Sequence, residues 1–195
     1  MTLRRDLAAI ADAVPPGARV LDIGCGDGAL LAHLRDTKGV DARGIDVSAA
    51  NVASAVARGL SVVQGDADAD LADSPGDAFD MAILSDTWQA MRSPSKVLGE
   101  LVRIARRAVV SFPNFGHWRV RGSLAFGGRM PVTKSLPASW HETANIHLCT
   151  IDDFRALAAE QGLKIESATF LSGGARRGAG LANLMAERAV FVLAR

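Results

Sequence analysis

Apolar residues recur along this chain in two rhythms. Leu3, Leu7, Ile10 and Ala11 stand at helical spacing, and Pro15-Pro16-Gly17 ends that helix. Short apolar runs then alternate with longer amphipathic ones. Arg19–Ile23 (RVLDI), Ala42–Val47, Ser61–Gln64, Phe79–Ser85 and Ala108–Phe112 read as strands. Between them, Gly28–Arg35, a segment capped by Ser48 that runs to Arg58, and about Ser95–Ala105 read as helices. Alternation with short links predicts a parallel sheet covered on both faces. Val20-Leu21 and Ile83-Leu84 are adjacent apolar pairs, as strands buried on both sides require.

The rhythm stops after Pro113. Asn114–Cys149 is a stretch of 36 residues dense in Gly, Pro, Trp, His and Arg, with little periodicity. It holds two of the three tryptophans and three of the four histidines. Disordered segments are poor in aromatics, so an ordered lid is expected here. Thr150 then caps a helix over Ile151–Gln161, Gly162 ends it, and Leu163–Leu171 reads as a strand. Ser172–Glu187 reads as a Gly-rich loop and Ala189–Leu193 as the last strand. The expectation is one domain over residues 1–195 with an insertion at about 114–149, and no internal repeat.

Composition narrows the class of function. Hydrophobic residues make up 49% of the 195 residues, and 22 basic against 21 acidic residues leave a net charge of +1. No whole-protein basic field for nucleic acid exists. Two cysteines, Cys25 and Cys149, fit a reduced compartment rather than a disulfide framework. Arg4, Arg5, Asp6 and Asp12 interrupt the first apolar stretch, and no apolar run approaches the roughly 18 residues of a membrane span. A cytoplasmic protein with no membrane contact is expected.

The candidate chemistry begins at the first strand–helix turn. Gly24, Gly26 and Ala29 satisfy G-x-G-x-x-G/A, with Asp46 about 20 residues on, at the end of the second strand. Glycines permit a tight turn and close backbone approach of a ligand, and Asp46 is placed to accept from ribose hydroxyls. Asp22 precedes the first glycine and Asp27 sits inside the turn. Two carboxylates beside a pyrophosphate would cost on the order of 1 kcal/mol each. A ligand without phosphate and with positive charge suits this turn better than NAD does.

Val20-Leu-Asp-Ile-Gly-Cys-Gly-Asp-Gly28 resembles the D-x-G-x-G-x-G motif of class I S-adenosylmethionine-dependent methyltransferases. The resemblance implies an α/β Rossmann-like fold of three layers, α/β/α, with a mostly parallel seven-stranded sheet whose last strand is antiparallel. It implies S-adenosylmethionine or S-adenosylhomocysteine as cofactor, and Asp22, Gly24, Cys25, Gly26, Asp46, Asp66 and Ser85 as its site. Asp46 matches the ribose-binding acid, and Gly65-Asp66 the adenine-side acid, although Asp68 and Asp70 compete for that role. Ser85 and Asp86 stand where the fourth strand opens onto the ligand. Cys25 reads as a small residue packed at the turn, since no base is paired with it.

Ser111–Arg119 (SFPNFGHWR), Gly128–Lys134 (GRMPVTK) and Asn145–Thr150 (NIHLCT) together resemble the MetW family of methionine biosynthesis, as does Leu84–Gln89. Asp86-Thr-Trp88 departs there from a more usual Gln-Thr-Leu. This resemblance implies a protein that works with homoserine O-acyltransferase, of either acetyl or succinyl type. It implies no defined methyl acceptor, and fold alone does not supply one.

No catalytic residue is assigned. Asn114, His117, His141, Asn145 and His147 are polar candidates in the lid, each equally readable as a hydrogen-bonded structural residue. His117, His141, His147 and Cys149 match no zinc spacing, so no metal is expected. Arg119, Arg121, Arg129 and Lys134, interleaved with Trp118 and Phe126, fit an RNA surface less well than a protein partner, because Phe115, Trp118 and Arg119 are interface hot-spot types. Two readings remain open: an accessory subunit of the acyltransferase, or a methyltransferase acting on a small molecule, with self-association possible in either.

Overall fold

A computed structural model describes residues 3–133, 136–143 and 145–195. Its helices and strands in chain order are α1 (Arg5–Ala13), β1 (Arg19–Ile23), α2 (Ala29–Lys38), β2 (Asp41–Asp46), α3 (Ala49–Ala57), β3 (Ser61–Gln64), α4 (Ala67–Asp70), β4 (Phe79–Ser85), α5 (Pro94–Ile104), β5 (Ala105–Pro113), α6 (Trp118–Gly127), α7 (Ile151–Glu160), β6 (Lys164–Ser172), β7 (Ala175–Arg177), α8 (Ala182–Met185) and β8 (Arg188–Ala194). One sheet runs β3-β2-β1-β4-β5-β8-β6-β7. β1 to β5 pair in parallel, and β8 is antiparallel to both β5 and β6.

The adjacent apolar pairs have the predicted effect. Val20 and Ile83 face the layer of α1 and α2, packing with Ile10, Leu30 and Leu34. Leu21 and Leu84 face the other layer, where Leu98 and Leu101 of α5 and Phe154 of α7 lie. Phe112, Phe154 and Phe191 form an aromatic centre with Trp88, at ring separations of 4.7 to 6.0 Å. Ser48 accepts from Asn51 N at 3.4 Å to start α3. At α7 Thr150 and Asp153 form a reciprocal capping box.

Three features depart from the pattern read off the chain. The sheet has eight strands rather than seven, because the Gly-rich loop contains β7, an edge strand paired with β6. Gly173 and Gly174 turn the hairpin with φ of +57° and +80°, so a Gly-Gly pair between strand residues was the available signal. Next, β5 begins at Ala105, so three residues assigned to a helix and its link are strand. Last, the insertion contains the ten-residue helix α6. Only Val120 of α6 is buried, so no apolar stripe marks it in the sequence.

Candidate functional site

Strand order reverses between β1 and β4, and there the carboxyl ends of β1, β2 and β4 open onto a cleft, as open α/β sheets do. Its floor is the turn after β1. Gly24, Gly26 and Gly28 hold φ of +71°, +58° and +76°. At Gly24 a Cβ would also lie 2.3 Å from Thr87 Oγ1, so both handedness and space demand glycine. Gly24 N and Cys25 N donate to the Ile45 carbonyl at 2.7 and 3.2 Å, drawing the turn against β2.

Asp46 locks that arrangement. Its Oδ2 accepts from Gly26 N at 2.7 Å, and its Oδ1 from Ser48 N at 2.9 Å and Asn51 Nδ2 at 3.1 Å. A carboxylate has about four acceptor positions, so one remains for a ligand. Asp22 differs in kind. It lies on Val20's face of β1, 3% exposed, and its Oδ1 has no hydrogen-bond partner among the described residues. Burial, and then the neighbouring Asp46 carboxylate, push its pKa up to about 8. Such an atom costs about 1–3 kcal/mol unless something donates to it. A cationic ligand group at the cleft would do so.

The wider part of the cleft encloses about 420 Å³ among Arg4, Asp22, Gly26, Asp46, Ser85 and Asp86. A narrower part, about 210 Å³, continues past Gly24, Asp46 and Thr87 to Gly65, Asp66 and Arg92. The two share Gly24, Asp46, Val47 and Thr87 in their walls, so the sequence-predicted residues line a channel of two adjoining cavities whose size suits a small molecule.

At the narrow end the three carboxylates differ in their backbone partners. Asp68 accepts from Arg92 N and Ser93 N at 2.9 and 3.0 Å, and Asp70 from Asp66 N at 2.7 Å. Asp66 and Asp68 both line the cleft; Asp66 caps α4 through Asp68 N at 3.0 Å and pairs with Arg92, and it is the more exposed of the two, at 41% against 14% of the side chain. At the other end Ser85 Oγ lies 3.1 Å from Ser111 Oγ. Asp86, at a left-handed φ of +59°, pairs with Arg4 at 2.6 Å and with Arg188. Those arginines also hold the buried Asp6. The departure at Asp86 therefore has a structural role: it ties the end of β4 to α1 and β8.

Cys25 is packed against Leu31 and Gly44, and burial pushes its thiol up to about 12. It lines the cleft as a small residue and is no nucleophile at neutral pH.

The lid candidates stand elsewhere. Asn114 is fully used: its Nδ2 donates to the Asn183 and Ala186 carbonyls at 2.9 and 2.7 Å, and its Oδ1 accepts from Gly116 N and Ile151 N at 2.9 and 3.2 Å. His117 caps α6, its Nδ1 accepting from Arg119 N at 3.3 Å, and burial holds its pKa below the usual imidazole value. His141 and His147 are exposed. Arg121 Nε donates to the Gly116 carbonyl at 2.6 Å, Arg119 pairs with Glu187, and Lys134 lies outside the described residues. No histidine lines the channel among the described residues, and no group there of three or more His, Cys, Asp or Glu is placed to hold a metal ion.

The insertion carries a cavity of its own, about 430 Å³, lined by Phe115, Met130, Leu136, Trp140, Ile146 and Leu148. It shares no residue with the cleft. Around it apolar side chains stay exposed: Phe126 by 94%, Trp140 by 72% and Ile146 by 63%. Sequence reading passed over three residues the structure makes prominent. Arg4 lines the cleft and Arg188 braces it. Gln89 links the cleft to the insertion: its carbonyl accepts from Ile146 N and His147 N at 2.8 and 2.9 Å, and its Nε2 donates to the Pro113 carbonyl and Cys149 Sγ, both at 3.2 Å.

The family of the methionine biosynthesis protein MetW matches over residues 4–193. The chain belongs to the MetW family. It is similar to the bifunctional methionine biosynthesis protein MetXA/MetW of Rhodopirellula baltica, 34% identical over 179 residues. That match covers 87% of this chain and 29% of the relative, so the chain spans under a third of that protein's length. Among solved structures it superposes on an S-adenosylmethionine-dependent methyltransferase from Mesorhizobium loti with a TM-score of 0.73 at 17% identity, covering 98% of each chain. It also superposes on magnesium protoporphyrin IX methyltransferase from Synechocystis PCC 6803 with bound SAH, with a TM-score of 0.66 at 20% identity, covering 97% of this chain and 80% of that one. The family places the chain in methionine biosynthesis, and the superpositions establish the Rossmann-like methyltransferase fold. Among the described residues no helix is long and apolar enough to cross a membrane.

Proposed function

We propose that the cleft binds S-adenosylmethionine or S-adenosylhomocysteine and that the insertion docks a homoserine O-acyltransferase of MetX type. The observation that carries the first half is the buried, unpartnered Asp22 oxygen on a channel whose other end reaches Asp66. An amino acid joined to a nucleoside fits that layout: its ammonium donates toward Asp22, its ribose toward the remaining acceptor of Asp46, and its adenine amino group toward Asp66. Gly24, Cys25, Gly26 and Ser85 supply the close wall. When bound, the cofactor would bring an activated methyl group. The chain's own residues bind and orient it.

Support for the partner comes from two directions. In the Rhodopirellula baltica relative the MetW part is joined to a MetXA part in one bifunctional protein. The insertion's exposed aromatics are of the kind that protein interfaces cover. On this reading residues 1–195 form one cofactor-binding domain, with the insertion at about 114–149, and work in the cytoplasm.

Calorimetry with S-adenosylmethionine, S-adenosylhomocysteine and NAD in parallel tests the cofactor. Binding of NAD alone would overturn it. Co-expression with the acyltransferase followed by gel filtration tests the partner; separate elution with unchanged acylation kinetics would sink it. The second reading, a methyltransferase on a small molecule, is favoured by the completeness of the cofactor channel. Labelled S-adenosylmethionine incubated with cell extract then yields a labelled product, lost on Asp22→Ala.

A further inference from the structure

We infer that Arg4 is the residue that recognises the α-carboxylate of the ligand, so that the wide end of the cleft selects a complete amino-acid zwitterion. The inference rests on the cofactor reading above and deepens it. Among the described residues, the charged side chains lining the wide end are Asp22, Asp27, Asp46 and Asp86 against one cation, Arg4. Four carboxylates can receive an ammonium or sulfonium, but a carboxylate entering that field needs a positive partner. Other nearby arginines are occupied elsewhere. Arg92 belongs to the narrow end, Arg58 pairs with Asp27 without lining the cleft, and Arg188 lies behind the wall with Asp6 and Asp86.

Arg4 is also aimed. Its Nε and Nη2 donate to the two oxygens of Asp6 at 3.0 and 2.8 Å, a bidentate fork, while Nη2 reaches Asp86 at 2.6 Å. Asp6 is a dependable anchor. Burial pushes its pKa up, but Arg4 and Arg188 more than offset this and hold it below the ordinary carboxylate value. Arg4 lines the cleft, and its Nη1 makes no hydrogen bond among the described residues, so two N–H donors of the guanidinium remain for a ligand. An arriving carboxylate can take these donors, or take the place of Asp86, whose freed oxygen then accepts from the ligand's ammonium beside Asp22. Either way charges exchange partners, and no isolated charge is buried.

The test compares S-adenosylmethionine with decarboxylated S-adenosylmethionine, which lacks only the carboxylate, by calorimetry on the wild-type chain, Arg4→Gln and Arg4→Lys. The wild type is expected to prefer the intact ligand by about tenfold or more, the scale of a charge-assisted hydrogen bond. Arg4→Gln should bring the two affinities within about twofold by weakening the intact ligand, and Arg4→Lys should keep part of the preference, as a point charge without a fork. Equal affinity of the wild type for both ligands, or equal weakening of both in Arg4→Gln, overturns the role of Arg4. Binding of neither ligand by the wild type is a different failure, since it removes the cofactor reading itself.

Discussion

Around the turn after β1, backbone amides and carboxylates hold one another in place. Gly24 N, Cys25 N and Gly26 N all donate across to β2, and three donors fix Asp46. The insertion is held differently. Asn114 roots it at one end and Gln89 pins it at Ile146 and His147, but between them much of its apolar surface faces outward. The first region spends its polar groups on internal geometry and leaves one buried carboxyl oxygen unpaired. The second leaves its hydrophobic groups unburied. On the proposed reading, a cationic ligand meets the first shortfall and the acyltransferase surface meets the second.

The contrast is sharpest at Gly24. Gly24→Ala places a Cβ at positive φ against Thr87. It should abolish cofactor binding and cost about 2–3 kcal/mol in urea denaturation, whereas Gly128→Ala, at positive φ but in open space beside α6, should cost about 1 kcal/mol and leave binding intact. Equal effects would mean that the turn is no more constrained than the insertion.

Asp22→Asn comes next, with opposite signs for binding and stability. The folded pKa of about 8 stands above the ordinary 3.8, so between those values the folded chain keeps a proton that the unfolded chain has lost. Stability is therefore lost as pH rises from about 4 to about 8, and levels beyond. Asp22→Asn should raise the melting temperature of the ligand-free protein at pH 9, while weakening S-adenosylmethionine by at least about thirtyfold. In the wild type affinity should climb as pH approaches 8, because cation binding needs the ionised carboxylate.

Trp140→Ala reverses that pattern. The ring is mostly exposed, so stability should change by less than about 0.5 kcal/mol, while affinity for the acyltransferase falls by about tenfold or more in surface plasmon resonance. A stability loss without an affinity loss would make the insertion a core rather than a docking surface. The smallest effect belongs to Cys25. Cys25→Ala should change cofactor affinity by less than about threefold, and at pH 8 the wild-type thiol should react slowly with a disulfide reagent, since burial holds its pKa at about 12.

The legible parts of the chain were those governed by neighbours in sequence. The adjacent apolar pairs Val20-Leu21 and Ile83-Leu84 report that both faces of the sheet are covered, and the caps at Ser48 and Thr150 report where helices start. Gly24 and Gly26 are readable because backbone chirality leaves few other residues for such a turn. Helix α6 was invisible because a helix with one buried residue has no stripe to read. Edge strand β7 hid inside a run of glycines whose Gly173-Gly174 pair is a turn signal in its own right. Among the site residues, the tie of Asp68 to Arg92 N and Ser93 N was illegible, because those donors lie more than 20 residues along the chain.

The sequence by itself determined the layered sheet, the turn at Asp22–Gly28 and membership of the MetW family, because each follows from local spacing or from matched motifs. Tertiary structure alone decided what Asp22, Arg4, Asp86 and Arg188 are. A carboxylate's pKa depends on what surrounds it in space, and Asp22 becomes unusual only once β1 is buried beside Asp46. Arg4 and Asp86 are 82 positions apart, and they meet because α1, which Arg4 precedes, packs against β5 and β8. Burial and long-range charge pairing are properties of the closed chain, so no window along the sequence contains them.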